Sequence, residues 1–355
     1  MPERSTIYQV AERSGVSTAT VSRVMGNGTG FSAATRDRVL ATAAELGWFP
    51  SGTARGLASR RNGIVGLLFP DLGTGESAED ESPLYVDQVI RGAEREATAR
   101  GDAVLIAATR GESGRELAFS VASKCDGVVV VARALAENDV ADLAQRLPVA
   151  VLSDRVGRMA RADAVGVDNR GGTGAVVEHL VREHGYRDLA FVGGPSGSPD
   201  SIDRFAGFRA ALLAEGLDAP DRPDAEGAFT ESGGARAVAE LVGRRRPRAI
   251  VCGNDEMAIG ALTALAGAGL RVPEDVAVTG FDDLAAARHV HPHLTTVAQP
   301  IRDLGAEAVR AVLARVASPD VERRSIVLPT RLVVRHSCGC VHGQVPAPRP
   351  EGELG

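Results

Sequence analysis

Ala11, Gly15 and Val21 stand in the spacing A-x3-G-x5-V, which commits the start of the chain to two short helices crossing at a tight turn. Ala11 keeps the first helix thin where the second crosses it. Gly15 supplies the left-handed backbone angle of the turn, which other residues enter only at a cost. Val10, Val16, Val21 and Val24 then form a small shared core. Ser17 is placed to cap a second helix over 18–25, and Ser32 a third helix running to about Leu46. The second helix turns Thr18, Ala19, Thr20, Ser22 and Arg23 outward. Small hydroxyl and methyl side chains with one guanidinium suit a DNA major groove.

Charge is segregated in the same direction. Residues 1–61 hold eight Arg and four acids, a net of about +4, which leaves about −10 on the remainder of a chain whose net charge is −6. A positive head on an acidic body is what phosphate binding requires.

The remainder alternates apolar runs with Ala-, Leu-, Arg- and Glu-rich stretches. Strands are expected at 64–69, 103–108, 127–132, 149–152, 189–193, 249–252 and 276–279. Helices are expected at 86–100, 173–184, 202–215, 234–244 and 257–268. Such alternation predicts an α/β protein of doubly wound parallel sheets, whose ligands sit beyond the carboxyl ends of the strands.

Polar residues gather at those ends. Cys252-Gly-Asn254-Asp255 and Gly280-Phe-Asp282-Asp283 each follow a strand, and Gly193-Gly-Pro-Ser-Gly-Ser-Pro-Asp200 precedes a helix carrying Arg204. An amide, a carboxylate and a guanidinium converging on a cleft can each hold two hydroxyls of a polyhydroxylated ligand. Phe229 offers an apolar face for a sugar ring. Asp168-Asn169-Arg170-Gly-Gly-Thr-Gly174 lacks the Gly-Lys-Ser/Thr of a phosphate loop and reads as a helix cap.

His336-x-Cys338-x-Cys340-x-His342 alternates, but strand neighbours two apart lie roughly 7 Å from one another. On an extended strand these residues cannot close a tetrahedron around one metal unless the chain bends sharply at Gly339. His289-x-His291-Pro-His293 meets the same difficulty. No metal site and no cofactor are therefore expected. Catalytic signatures such as Gly-x-Ser-x-Gly and His-Glu-x-x-His are missing, and the acidic pairs are adjacent in sequence rather than facing each other. The chain reads as no enzyme. No run approaches 18 apolar residues and the cysteines include no C-x-x-C, so a reduced, cytoplasmic protein without a membrane partner is expected.

Thr6-Ile-Tyr8-x-Val10-Ala11 through Val16-Ser17-x-x-Thr20-Val21-Ser22-Arg23-Val24, with Gly47-Trp-Phe-Pro50 and Ala54-x-x-Leu57, closely resembles the lactose/galactose-repressor (LacI/GalR) family of bacterial transcription regulators. The resemblance extends to about residue 340. It implies a three-helix helix-turn-helix head over 1–50 and a hinge helix over 51–61. A two-lobed, periplasmic-binding-protein-like domain over 62–340 follows. Lobe one would take about 62–160 and 293–322, and lobe two about 162–290 and 325–340, with three crossings between them. The Pro-rich tail at 341–355 is expected to be disordered and carries no leucine heptads, which favours a homodimer over a tetramer.

By the same resemblance Thr18 and Ala19 select operator bases, while Tyr8, Thr20, Ser22 and Arg23 add base and phosphate contacts, Thr6 and Ser17 belonging to the same set. Ala54 and Leu57 match a hinge whose leucine wedges into the minor groove. Arg204, Asn254 and Asp282 occupy effector-contact positions, Phe229 an aromatic stacking position, and Tyr85 and Asp154 further contacts from lobe one. Gly26, Ser51 and Gly56 depart from the usual pattern. A glycine inside a helix costs roughly 1 kcal/mol relative to alanine, so the hinge at 53–59 is expected to fold only on DNA. The expected partners are a palindromic double-stranded operator, a small effector that is most simply a sugar, and a second copy of the chain. A corepressor of opposite sign and a ligand-independent DNA binder are the alternatives.

Overall fold

Side-chain caps set the helices of the N-terminal unit. In the computed structural model the described residues are 5–26, 28–49, 61–70, 83–109, 113–152 and 161–340. The expected hinge with Ser51, Ala54, Gly56 and Leu57, together with Asp154, His342 and the 341–355 tail, lies outside them. The chain divides into two compact units, Met1–Ile64 and Val65–Gly355.

In the first unit α1 (Ile7–Ser14) begins at Thr6, whose hydroxyl accepts from the Gln9 amide while the Gln9 side chain accepts from Thr6 N at 2.8 Å. This reciprocal box satisfies two donors that the first helical turn leaves open. Gly15 ends α1 at φ 65°, the expected left-handed turn. Ser17 caps α2 (Thr18–Met25) and Ser32 caps α3 (Ala33–Glu45), each accepting from the residue three on. Val10, Ala11, Val21, Val24, Val39 and Ala43 fill the core, with Val16 packed at its edge. Arg38 Nε donates to the Ser14 carbonyl at 2.8 Å, pinning α3 to the end of α1.

The second unit is built on two parallel sheets. Its elements in chain order are β1 (Ile64–Pro70), α4 (Pro83–Ala99), β2 (Ala103–Thr109), α5 (Gly114–Ala122), β3 (Gly127–Val131), α6 (Glu137–Ala144), β4 (Val149–Leu152) and β5 (Asp163–Val167). There follow α7 (Asn169–Arg182), β6 (Leu189–Gly193), α8 (Pro199–Ala214), β7 (Ala225–Glu226), α9 (Glu231–Arg244), β8 (Ala249–Cys252), α10 (Asp255–Gly267) and β9 (Ala277–Thr279). A 3-10 turn (Ala285–Arg288), β10 (Thr296–Ala298), α11 (Ile301–Ala317), β11 (Ser325–Leu328) and β12 (Arg331–Val333) complete it.

Strand order is β11-β5-β4-β3-β1-β2 in the six-stranded sheet and β7-β6-β8-β9 in the four-stranded one. Alternate residues of a strand face opposite sides, so strands covered on both faces read as continuous apolar runs. In the first sheet Val65, Leu67, Val129 and Val165 share one core with Val89 and Ala93 of α4 and Leu304 and Ala308 of α11. In the second, Leu189, Phe191 and Val251 face α7 and α8, whereas Ala190, Val192, Ile250 and Cys252 face α9 and α10.

The sequence boundaries for the lobes need one correction. Strands β5 and β11 pair parallel with each other inside the six-stranded sheet, so 163–167 and 325–328 belong with lobe one and not lobe two. The chain therefore crosses after Val167 and after Leu328, a few residues later than 162 and 325. The physical reason is Asp163. Its carboxylate is buried, takes Arg315 of α11 in a fork at 2.8 and 3.1 Å, and accepts Arg324 N at 2.7 Å. That clamp docks the start of β11 beside β5. The β10 and β12 segments pair antiparallel as a two-stranded ribbon that lies beside the second sheet, bridged at Thr279–Thr295 and Asp282–Ala298 and packing Val297, Leu332 and Val334 into that lobe's core.

Removing one partner of a buried pair leaves the other charge uncompensated. Asp163→Ala is therefore expected to lower the unfolding free energy of the second unit by on the order of 3 kcal/mol in urea titration. A loss below ~1 kcal/mol is the size of an exposed pair and would refute the clamp.

Candidate functional site

In the first unit the outward face of α2 carries the expected groups. Thr18, Ala19, Thr20, Ser22 and Arg23 are exposed or half-exposed, and Tyr8 is 73% exposed. Ser17 and Thr20 also bond each other through their hydroxyls at 3.0 Å. Thr6 and Ser17 thus serve as caps as well as standing in the expected DNA-facing set. Phe49 of the Gly47-Trp-Phe-Pro50 motif is 82% exposed, and no role was read for it from sequence.

In the second unit a polar network forms where β6, β8 and β9 end. Arg204, on α8, is only 4% exposed. Its Nη1 donates to the Gly253 carbonyl at 2.6 Å and lies 3.7 Å from Asp282 Oδ1. Its Nε donates to Asn169 Oδ1 at 2.8 Å, and the guanidinium stacks on Phe281 at 3.8 Å from the ring centre. Asp282 also accepts from the Gln299 amide, which reaches it from the segment crossing between the sheets. Arg204 and Asp282 therefore meet directly, and the structure brings two of the expected strand-end groups into one network.

Asn254 stands beside them with local duties. Its Oδ1 accepts from Met257 N at 3.0 Å as the cap of α10, and its Nδ2 donates to the Phe229 carbonyl at 3.0 Å. Phe229 is half-buried with φ 66°, and its ring lies flat enough on Gly194 that a methyl group there would collide with it. The Arg204 guanidinium is 5.9 Å from this ring. Tyr85 packs at the edge of the lobe-one core. Asp168 caps α7 by accepting from Gly171 N at 2.8 Å, as expected for that glycine-rich turn.

A cleft of about 470 Å³ opens beside this network. Asp282, Asp283 and Arg288 line it from the second sheet's side, Gln88 of α4 from the first, and Gln299 and Thr330 from the crossing segments. Ala298, Pro300, Ile301 and Pro329 complete the lining, so amide, carboxylate, guanidinium and hydroxyl groups stand among apolar surface, a mixture that suits a small molecule carrying both hydroxyls and C–H faces. Gln88, Asn169 and Gln299 were not picked out by sequence. Asn169 follows β5 and Gln299 follows β10, positions visible once the topology is known, whereas Gln88 lies inside α4 with no signal to mark it.

Burial pushes the Asp282 carboxyl up to about 7, although the Arg204 guanidinium and the Gln299 amide pull it back. Asp255, wholly buried beneath the same loop, is also raised by burial and by the neighbouring Asp282, against donors at Thr296 and Leu284 N. Asp282 and Asp283 both hold positive φ, at 126° and 57°. Such backbone persists only where surrounding contacts over-determine it.

Residues 6–51 match the profile of bacterial regulatory proteins of the lacI family, and residues 177–338 that of a periplasmic binding protein-like domain. Catabolite control protein A of Priestia megaterium is 31% identical over 337 residues, covering 94% of this chain and 98% of that protein. The chain belongs to the lacI family. As a lacI-family member it is a transcriptional regulator and not an enzyme. Among solved structures, a CelR–cellobiose complex is similar at a TM-score of 0.69 and 30% identity, over 94% of this chain and 100% of that one. The lac repressor dimer bound to operator and the anti-inducer ONPF is similar at 0.77 and 27%, over 95% and 99%. No helix among the described residues of this lacI-family chain is long and apolar enough to cross a membrane.

A carboxyl whose folded pKa exceeds its unfolded value keeps a proton that the unfolded chain has lost, so folding weakens as pH rises between the two. For Asp282 that interval runs from the ordinary 3.8 to about 7. Asp282→Asn is expected to flatten part of the stability loss of the second unit between those pH values, followed by thermal midpoint. Superimposable wild-type and variant profiles would show that Asp282 does not titrate there.

Proposed function

We propose that this lacI-family regulator is a repressor acting in the cytoplasm as a homodimer, whose operator affinity is set by a small sugar held in the cleft around Asp282 and Gln299. The observation that carries the reading is the buried Arg204–Asp282 pair, whose Asp282 lines the cleft, in a chain whose first unit exposes the outward face of α2. A buried ion pair is weak evidence for stability by itself, because desolvation offsets most of its attraction. Its place at the cleft supports a binding role. The sugars and operator named for the similar solved structures, cellobiose in one and operator DNA with ONPF in another, agree with this chemistry.

The proposed roles follow residue by residue. Thr18 and Ala19 select bases. Tyr8, Thr20, Ser22 and Arg23 contact bases and phosphates, with Thr6 and Ser17 holding the helix starts that face them. Ala54 and Leu57 hold the operator centre. Asp282, which lines the cleft, binds sugar hydroxyls, and Arg204, Asn254 and Phe229, which stand behind it outside the cleft lining, are the further proposed effector contacts of this lobe. Tyr85 and Asp154 remain proposed contacts from lobe one. Occupation of the cleft changes operator affinity only to the extent that the sugar prefers one conformation of the regulator over the other, typically 1–3 kcal/mol of coupling in allosteric proteins.

A thermal-shift screen of mono- and disaccharides is expected to find a stabiliser of the wild type that no longer shifts Asp282→Ala. The variant should keep operator binding that falls steeply with salt, by about 0.9 log units of affinity per log unit of salt for each phosphate contacted. Equal stabilisation of wild type and variant would place the sugar elsewhere. A flat salt dependence would refute phosphate-based docking.

A further inference from the structure

At the far end of the second lobe, four soft-donor side chains converge from two distant parts of the chain. His179 lies in the last turn of α7 and His184 just beyond it, while Cys338 and Cys340 flank Gly339 in the turn after β12. One ligand atom from each, an imidazole nitrogen or a thiol sulfur, lies within 4.8 Å of all the others. We propose that His179, His184, Cys338 and Cys340 form a structural zinc site that fastens the C-terminal turn to α7.

Coordination geometry supports this closely. Bonds of 2.0–2.1 Å to nitrogen and 2.3 Å to sulfur place neighbouring ligand atoms of a tetrahedron about 3.3–3.8 Å apart. Cys340 Sγ lies 3.6 Å from His179 Nε2 and 3.3 Å from His184 Nε2. The extended-strand objection to paired cysteines is removed by the backbone. Gly339 has φ 109°, so the chain turns back and both thiols face one point. A Cβ at Gly339 would also sit 2.9 Å from the Tyr186 hydroxyl, so the position needs glycine for space as well as for angle.

A second layer of contacts holds the donors. The Thr295 hydroxyl donates to Cys338 Sγ at 3.2 Å, and the Tyr186 hydroxyl donates to the Cys338 carbonyl at 3.1 Å. Tyr186 stacks on the His184 ring at 5.1 Å and accepts from Arg248 at 2.9 Å. Partners of this kind orient metal ligands and are part of most metal sites. His179 and Cys338 are buried, and His184 and Cys340 half-buried, which leaves a route for the ion.

Charge balance favours the same reading. Two thiolates and two neutral imidazoles around Zn²⁺ sum to zero, so the occupied site suits a buried pocket, and the two thiol protons pass to solvent on binding. The donor set of two sulfurs and two nitrogens at tetrahedral spacing selects zinc over calcium or magnesium. The site is separate from the cleft. Asn169 and His179 lie ten residues apart on α7, about 15 Å at 1.5 Å per residue. His336, whose ring instead lies 5.2 Å from that of His293, takes no part.

The test uses the full chain, purified without chelator, stripped with a weak chelator and retitrated with ZnCl₂ or CoCl₂. About one zinc per chain is expected by elemental analysis, a rise in thermal midpoint on re-adding zinc, and the visible bands of tetrahedral, thiolate-bound cobalt. Cys340→Ser and His184→Gln, at the half-exposed positions, should each lose the cobalt bands and most of the zinc. A wild type that holds no zinc and gives only octahedral cobalt spectra would overturn the proposal. So would zinc content unchanged in both variants, or a Cys338–Cys340 disulfide that excludes zinc under reducing conditions.

Discussion

A guanidinium keeps its charge at every working pH, so burying Arg204 obliges the fold to surround it. Asn169 comes to it from the start of α7, the Gly253 carbonyl from the end of β8, and Asp282 from the loop after β9. Phe281 supplies a π face below. One buried cation thereby fixes three strand-end loops that are distant in sequence. The last of these loops lines the cleft through Asp282 and Asp283, and its strained backbone is tolerated because the same contacts over-determine it.

The cleft is lined by segments that cross between the two sheets as well as by the lobes. Gln299 lies on the segment after β10 and bonds Asp282, while Thr330 follows β11. A ligand gripping these groups senses the arrangement of the crossings, and two packed sheets joined by short links have few discrete arrangements to choose between. That is the physical basis on which a sugar can bias the regulator. Outside the cleft, the Asp163–Arg315 clamp and the proposed zinc site fasten the late segments β11 and β12 to earlier parts of the chain. Both act on strands of only four and three residues, too short to be held by their own ladders alone.

Much of the fold was legible because its signals are local. The caps Ser17 and Ser32 and the Gly15 turn foretold α2 and α3, and the apolar runs at 189–193 and 249–252 are β6 and β8 as printed by the chain's own pattern. The short strands β10 to β12 and the placement of β5 were not, since β10 pairs with β12 across an intervening helix and β5 with β11 some 160 residues away, as in the bond of Arg324 N to Asp163. The site was half legible. Asp282 stands just past a strand end and Arg204 in the second turn of the helix that follows a strand-end loop, where sequence reasoning looks first. Gln299 and Gln88 sit in crossing and helical segments with no motif to mark them. The two cysteines were visible as a pair, but their histidine partners lie 161 and 156 residues earlier and no spacing rule connects them.

The central claim is a coupling between cleft and operator, and linkage makes it directly measurable. Operator dissociation constants should be measured with and without saturating sugar, and sugar dissociation constants with and without saturating operator, in one buffer. The account predicts the same factor in both comparisons, on the order of 5- to 150-fold and weakening in sign. Sugar binding that leaves operator affinity unchanged, with no reciprocal change, would contradict it.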